Sequence, residues 1–149
     1  MQIAIGADHA GLPLKEQLKP WLESAGHQIV DLGAHHLDPD DDYPDFAAAV
    51  ARAIQAGQAE RGIICCGSGV GASITANKVA GVRAGLCHDT YSSHQGVEHD
   101  DMNVICLGAR IIGLDLSKEI VASFIGASFM PEPRFQRRLD KLIQVETEG

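Results

Sequence analysis

Short apolar runs alternate with amphipathic stretches along the whole chain, and few architectures accommodate that pattern. Ile3-Ala4-Ile5 reads as a strand ending at Gly6. Leu14, Leu18, Trp21, Leu22 and Ala25 then recur at helical spacing, which predicts a helix over 12–25 with Gly26 past its end. Gln28 to Leu32 predicts a second strand, and Pro44 opens a helix running over 46–56. Gly62 to Cys66 is apolar without alternation, as expected of a strand covered on both faces. A glycine loop and a helix over 72–79 follow. Strands are predicted over 82–87 and 103–107, and helices over 115–125 and 132–145. Repeated β-α alternation with short connections implies a five-stranded parallel sheet between two helical layers, a three-layer αβα sandwich.

This layering is Rossmann-like and doubly wound. At 149 residues and 45 % apolar content, the expectation is one domain over 1–149, closed by the C-terminal helix. No apolar stretch is long enough to span a bilayer, and the first residues lack a secretory pattern, so a cytoplasmic protein is expected. The net charge of −8 argues against nucleic acid as a partner. Cys65, Cys66, Cys87 and Cys106 form no C-x-x-C pair and read as small apolar residues of strands in a reducing compartment.

In such a sheet, ligands collect at the carboxyl ends of the strands. Asp8-His9-Ala10-Gly11 follows the first strand, and Cys66-Gly67-Ser68-Gly69-Val70-Gly71 follows the third. The glycines allow close backbone approach, and the N–H groups entering the next helix suit an anion, although a purely structural turn would look the same. No Lys-Ser/Thr follows, so the loop is no P-loop. Cys66 stands at its entrance. A helix N-terminus lowers a thiol below about 8.5, which would make Cys66 a base or nucleophile; the alternative is a core cysteine. Asp8 and His9 read either as a helix cap with a surface histidine or as ligand contacts. His99 lies among Glu98, Asp100 and Asp101, which would hold its charge and tautomer; a solvated acidic loop is the alternative. The spacing of His35 and His36 beside Asp38 to Asp42 matches no metal site, and no metal is expected.

Taken together, these segments resemble the type B ribose-5-phosphate isomerases, within the ribose/galactose phosphate isomerase family. The resemblance rests on Gly6 to Gly11 with Leu14-Lys15, Asp42-Tyr43-Pro44-Asp45, Cys66 to Gly71, and Ala76-Asn77-Lys78-Val79. His99 to Asn103, Leu107 to Arg110 and the Arg134…Arg138 pair complete it. It implies cofactor-free aldose–ketose interconversion of ribose 5-phosphate and ribulose 5-phosphate through a cis-enediol. Cys66 would move the proton between C1 and C2, and Gly67, Gly69, Val70 and Gly71 would hold the enediolate oxygen through backbone N–H groups, with Ser68 assisting. His99, from a second subunit, would open the sugar ring, and Asp8 would bind near the ring oxygen. His9, Arg110, Arg134 and Arg138 would hold the phosphate, and Tyr43 would line the pocket. A homodimer or tetramer with its active site at the subunit interface follows. Related enzymes without the cysteine use a glutamate one residue past the loop, where this chain has Ala72.

Two positions depart from the pattern. Asp100 replaces a usual asparagine, so an acceptor stands where an amide could donate. Phe135 stands where a histidine is common. They leave room for a related substrate: a tetrose, allose or galactose phosphate. Outside the class, a Cys–His hydrolase and a phosphate-binding module without catalysis are the competing readings.

Overall fold

The computed structural model describes every residue, Met1–Gly149. Five parallel strands form one sheet in the order β2-β1-β3-β5-β4. They are β1 (Gln2–Ala7), β2 (Gln28–Asp31), β3 (Arg61–Cys66), β4 (Ala84–Leu86) and β5 (Val104–Gly108). The helices are α1 (Leu12–Ser24), α2 (Tyr43–Gln55), α3 (Val70–Ala76), α4 (Thr90–Asp100), α5 (Leu114–Gly126) and α6 (Pro133–Glu148).

Strand side chains alternate between two cores, as the pleat requires. Ile3, Ile5, Ile63, Cys65, Ile105 and Leu107 pack with Leu14, Leu18 and Leu22 of α1, Val97 of α4 and Ile120, Val121 and Phe124 of α5. On the opposite face, Ala4, Ile64, Cys66, Val104 and Cys106 pack with Ala47, Val50 and Ala51 of α2 and Ala72 and Ala76 of α3. The helix residues on this second face are mostly alanine, smaller than the leucines of α1. The predicted three-layer αβα arrangement is therefore the observed one. α6 lies outside the two layers, against α4.

One helix escaped the sequence pattern. α4 was not predicted, and His99 lies in its last turn rather than in an acidic loop. The segment is polar, and only Ser93 and Val97 are buried, so no apolar stripe announces it. Its start is nonetheless written in the sequence: the Asp89 carboxylate accepts the Ser92 N–H at 2.6 Å, an N-cap. β4 is shorter than predicted and leaves Cys87 just past its end.

The chain turns from one side of the sheet to the other at β1, which lies between β2 and β3. The carboxyl ends of β1 and β3 are therefore adjacent, at a topological switch point.

Candidate active site

Asp8 leaves β1 as Cys66 ends β3, and their side chains meet. Cys66 Sγ donates to Asp8 Oδ2 at 3.3 Å, and Asp8 Oδ1 accepts the Gly11 N–H at 3.0 Å. Both residues are buried, at 7 % exposure each. Asp8 thus holds the turn into α1, whose N-cap is Gly11, and faces the thiol.

The electrostatics reverse the expected sign at Cys66. Burial, then the Asp8 charge and the hydrogen bond to it, push the thiol up to about 11. The N–H groups of Gly67 and Gly69 act the other way and are outweighed. Burial beside a carboxylate defeats the loop dipole, so the resting thiol is protonated. Cys65 is pushed still higher by burial, to about 12.

The loop after Cys66 is fixed by close packing. Gly69 has φ +83°, and a Cβ there would lie 2.7 Å from Leu86 Cδ1. A Cβ on Gly71 would overlap the Tyr43 ring, so Tyr43 lies directly on the loop. Ser68 is exposed, and its Oγ accepts the Val70 N–H at 3.3 Å. Arg110 follows β5; its N–H donates to the Gly67 carbonyl at 3.0 Å, and its exposed guanidinium lies beside Gly67.

His9 completes this group. Its N–H and its Nδ1–H both meet Asp41 Oδ1, at 3.0 and 2.6 Å. The Asp41 hydrogen bond raises the His9 pKa above 6.5; burial opposes it, the Asp8 and Asp41 charges add to it, and Arg110 detracts. One ligand-type atom each from Asp8, His9 and Asp41 lies within 4.8 Å of the others. The short contact to Asp41 occupies His9 Nδ1, so the trio is organised around a proton.

A second group lies on α4 and α6. The rings of His99 and Phe135 stack with centroids 3.9 Å apart, and the Arg134 guanidinium sits 4.7 Å from the Phe135 centroid. His99 Nδ1 pairs with the Gln95 amide at 2.8 Å, not with a carboxylate. The neighbouring acids are engaged elsewhere: Glu98 with His94, and Asp101 with Arg83. Asp100 is exposed and borders a cavity of about 950 Å³ between α6 and the β4 side of the molecule. Arg138 is exposed one helical turn beyond Arg134.

The structure therefore gathers Asp8, His9, Tyr43, Cys66, Gly67, Ser68, Gly69, Val70, Gly71 and Arg110, and sets His99, Asp100, Arg134 and Arg138 apart from them. No hydrogen bond or ring contact joins the two groups within the chain. Arg110, Arg134 and Arg138 make no ion pair, whereas Lys15, Lys19 and Arg83 all do.

Sequence reasoning missed two contributors. Asp41 was hidden in the acidic run from Asp38 to Asp42, where nothing distinguishes it from its neighbours. Lys15 is fully buried on α1; it bonds Asp31 Oδ1 at 2.7 Å and the Ala34 carbonyl, anchoring the loop that carries Asp41. A lysine on the apolar stripe beside Leu14 and Leu18 was the available signal.

Known proteins share this fold. The chain is 39 % identical over 145 residues to ribose-5-phosphate isomerase B of Escherichia coli K12, covering 97 % of this chain and 96 % of that one. It is 43 % identical over 129 residues to D-erythrulose-4-phosphate isomerase of Pectobacterium atrosepticum, covering 87 % and 85 %. The structure of ribose-5-phosphate isomerase B from Mycoplasma genitalium with bound ribulose-5-phosphate superposes with a TM-score of 0.93 at 40 % identity, covering 99 % and 97 %. Residues 3–142 match the Ribose/Galactose Isomerase family over almost the whole chain, and the chain belongs to that family.

Proposed function

We propose that this chain is an aldose–ketose isomerase interconverting ribose 5-phosphate and ribulose 5-phosphate. The observation that carries the reading is the Cys66 thiol donating to Asp8 at 3.3 Å beside the glycine loop, with His9 and Arg110 at hand for a phosphate.

At neutral pH Cys66 and Asp8 share one proton, which rests on sulfur. Its transfer to Asp8 Oδ2 creates a thiolate without exchange with solvent. The thiolate removes the proton from C2 of the open-chain aldose, and charge develops on the oxygen at C1. Backbone N–H groups from Gly67 to Gly71 stabilise that enediolate, with Ser68 beside them. A proton passes from the C2 hydroxyl to the C1 oxygen, the thiol returns its proton at C1 to give the ketose, and Asp8 hands its proton back to sulfur. Ala72, fully buried under the loop, offers no competing base. Tyr43 bounds the pocket on the Gly71 side.

The second group supplies what the first lacks. His99 opens the sugar ring by proton transfer at the ring oxygen, with Asp100 next to it, and Arg134 and Arg138 hold the phosphate. We assign this group to a partner copy, in a homodimer or tetramer with shared sites. Exposed Val70, Ile74 and Leu86 near the glycine loop offer apolar surface for such a contact. Four buried free thiols suit the reducing cytoplasm.

The first test is a substrate panel ranked by kcat/KM. Ribose 5-phosphate should lead, and Cys66→Ala should remove turnover while phosphate-ligand binding survives. A tetrose phosphate is the second reading, favoured by the 43 % identity to the erythrulose-4-phosphate isomerase; a tetrose at the head of the panel would establish it. Turnover persisting in Cys66→Ala would exclude the assigned base.

A further inference from the structure

Asp41 is placed unlike its acidic neighbours. Its side chain is only 9 % exposed, and Oδ1 accepts both the main-chain N–H and the Nδ1–H of His9. The other oxygen, Oδ2, is buried with no partner. Burying a carboxylate with an unpaired oxygen is costly, and a solvated loop residue would have no reason to accept that cost. Lys15 holds the start of its loop from beneath through Asp31 and the Ala34 carbonyl. The Asp41–His9 pair is thus built on a fixed support.

We propose that Asp41 is a positioning residue that fixes His9 as a cationic, single-tautomer phosphate ligand. With Nδ1–H committed to Asp41, Nε2 is the nitrogen left for the substrate phosphate. The backbone bond to the same oxygen ties the ring to the main chain at the end of β1. The inference rests on the reading of His9 as a phosphate ligand. The charged groups around His9 are Asp8 from the β1 end, Asp41 from the β2–α2 loop and Arg110 from the β5 end. The Asp41 hydrogen bond and the two carboxylates outweigh burial and Arg110, so the ring stays protonated to higher pH than an ordinary histidine.

The test compares wild type with the isosteric Asp41→Asn variant, using inorganic phosphate as the probe. The His9 ring is titrated by NMR, its signal assigned with His9→Ala, and phosphate is measured as a competitive inhibitor across pH. The amide keeps one acceptor but loses the charge, so the His9 pKa should fall in the variant. Phosphate should bind about tenfold more weakly above neutral pH, the worth of one charge-assisted hydrogen bond. The deficit should shrink at acid pH, where His9 is protonated in both proteins. With sugar phosphate, the loss should fall on KM more than on kcat. A His9 pKa unmoved by the substitution overturns the proposal. So does a lowered pKa with phosphate binding unchanged. If the variant does not fold, the wild-type titration decides: a His9 pKa at or below the ordinary value of about 6.5 overturns it. Absence of isomerase turnover in the wild type would instead refute the parent reading and leave the titration and phosphate measurements intact.

Discussion

Replacing Asp8 with asparagine should make Cys66 more reactive and the enzyme less active. The carboxylate raises the thiol twice over, by its charge and by accepting the S–H, and together with burial it brings the group from 9.0 to about 11. At about pH 8 such a thiol is ionised in roughly one molecule in a thousand. In Asp8→Asn the charge disappears, and an amide N–H at the Oδ2 position can donate to sulfur. Burial, the largest cause, remains, so the thiol should fall only part of the way, by about one pH unit. That raises the thiolate population roughly tenfold. The less basic thiolate is a weaker nucleophile, with a Brønsted slope of about 0.4–0.5, which offsets part of the gain. The net expectation is alkylation by iodoacetamide about threefold faster. Intact mass and peptide mapping should place the label on Cys66, with Cys66→Ala as control; Cys65 and Cys106 are fully buried and should not compete. Isomerase turnover should move the opposite way, because the variant has lost the acceptor for the shared proton. Alkylation unchanged or slower in the variant would refute the electrostatic argument. Faster alkylation with undiminished turnover would refute the role of Asp8 as proton acceptor.

Three further substitutions probe the supporting structure. Lys15→Met should cost about 3 kcal/mol in urea unfolding, because it strips a buried cation from Asp31. Burial disfavours ionised Asp31, yet hydrogen bonds from Lys15, Lys19 and the Gly33 N–H outweigh it and hold the carboxyl at about 2. Relative to 3.8 that is worth about 2 kcal/mol, present above about pH 4 and lost as pH falls through 2, and the acid limb of the stability curve should flatten in the variant. Gly69→Ala should lower stability by at least about 1–2 kcal/mol, since an L residue is forced to φ +83° against Leu86; a melting temperature equal to wild type would contradict the packing. Phe135→Leu should keep most of the stability while releasing His99 from its stack, so kcat should fall more than the melting temperature predicts.

The layered fold was legible because its signal is repeated: each apolar strand and each helical stripe says the same thing about the core. α4 was not legible, since it buries only Ser93 and Val97 and is held by the Asp89 cap and by contacts that arise in the folded chain. Cys66, Asp8 and His9 were legible as strand-end residues, because a parallel sheet gathers its carboxyl ends. The sign at Cys66 was not. Position at a loop argues for a lowered thiol, while burial and an opposing carboxylate 58 positions away in sequence argue for a raised one, and the folded chain decides which prevails. Asp41 illustrates the same gap. Asp38, Asp40, Asp41 and Asp42 are equivalent as letters, and a loop geometry set by a buried lysine selects one of them.

A chain of net charge −8 that handles a phosphate dianion is consistent once distance is counted. Fields from scattered surface carboxylates fade over a Debye length of about 8 Å, while a guanidinium in contact with phosphate acts at full strength. What matters is which cations are free. Lys15, Lys19 and Arg83 are neutralised by carboxylates, and Arg110, Arg134 and Arg138 are not. Three of the unpaired arginines, Arg110, Arg134 and Arg138, are divided between the Cys66 group and the His99 group, which no hydrogen bond or ring contact joins within the chain. Bringing both sets together would place three guanidinium groups around one anion site. Under the proposed sharing of the site between two copies, the two sets meet only where a second copy and an anion are present. Phosphate should accordingly strengthen the association of subunits, and by linkage subunit association should strengthen phosphate binding by the same factor.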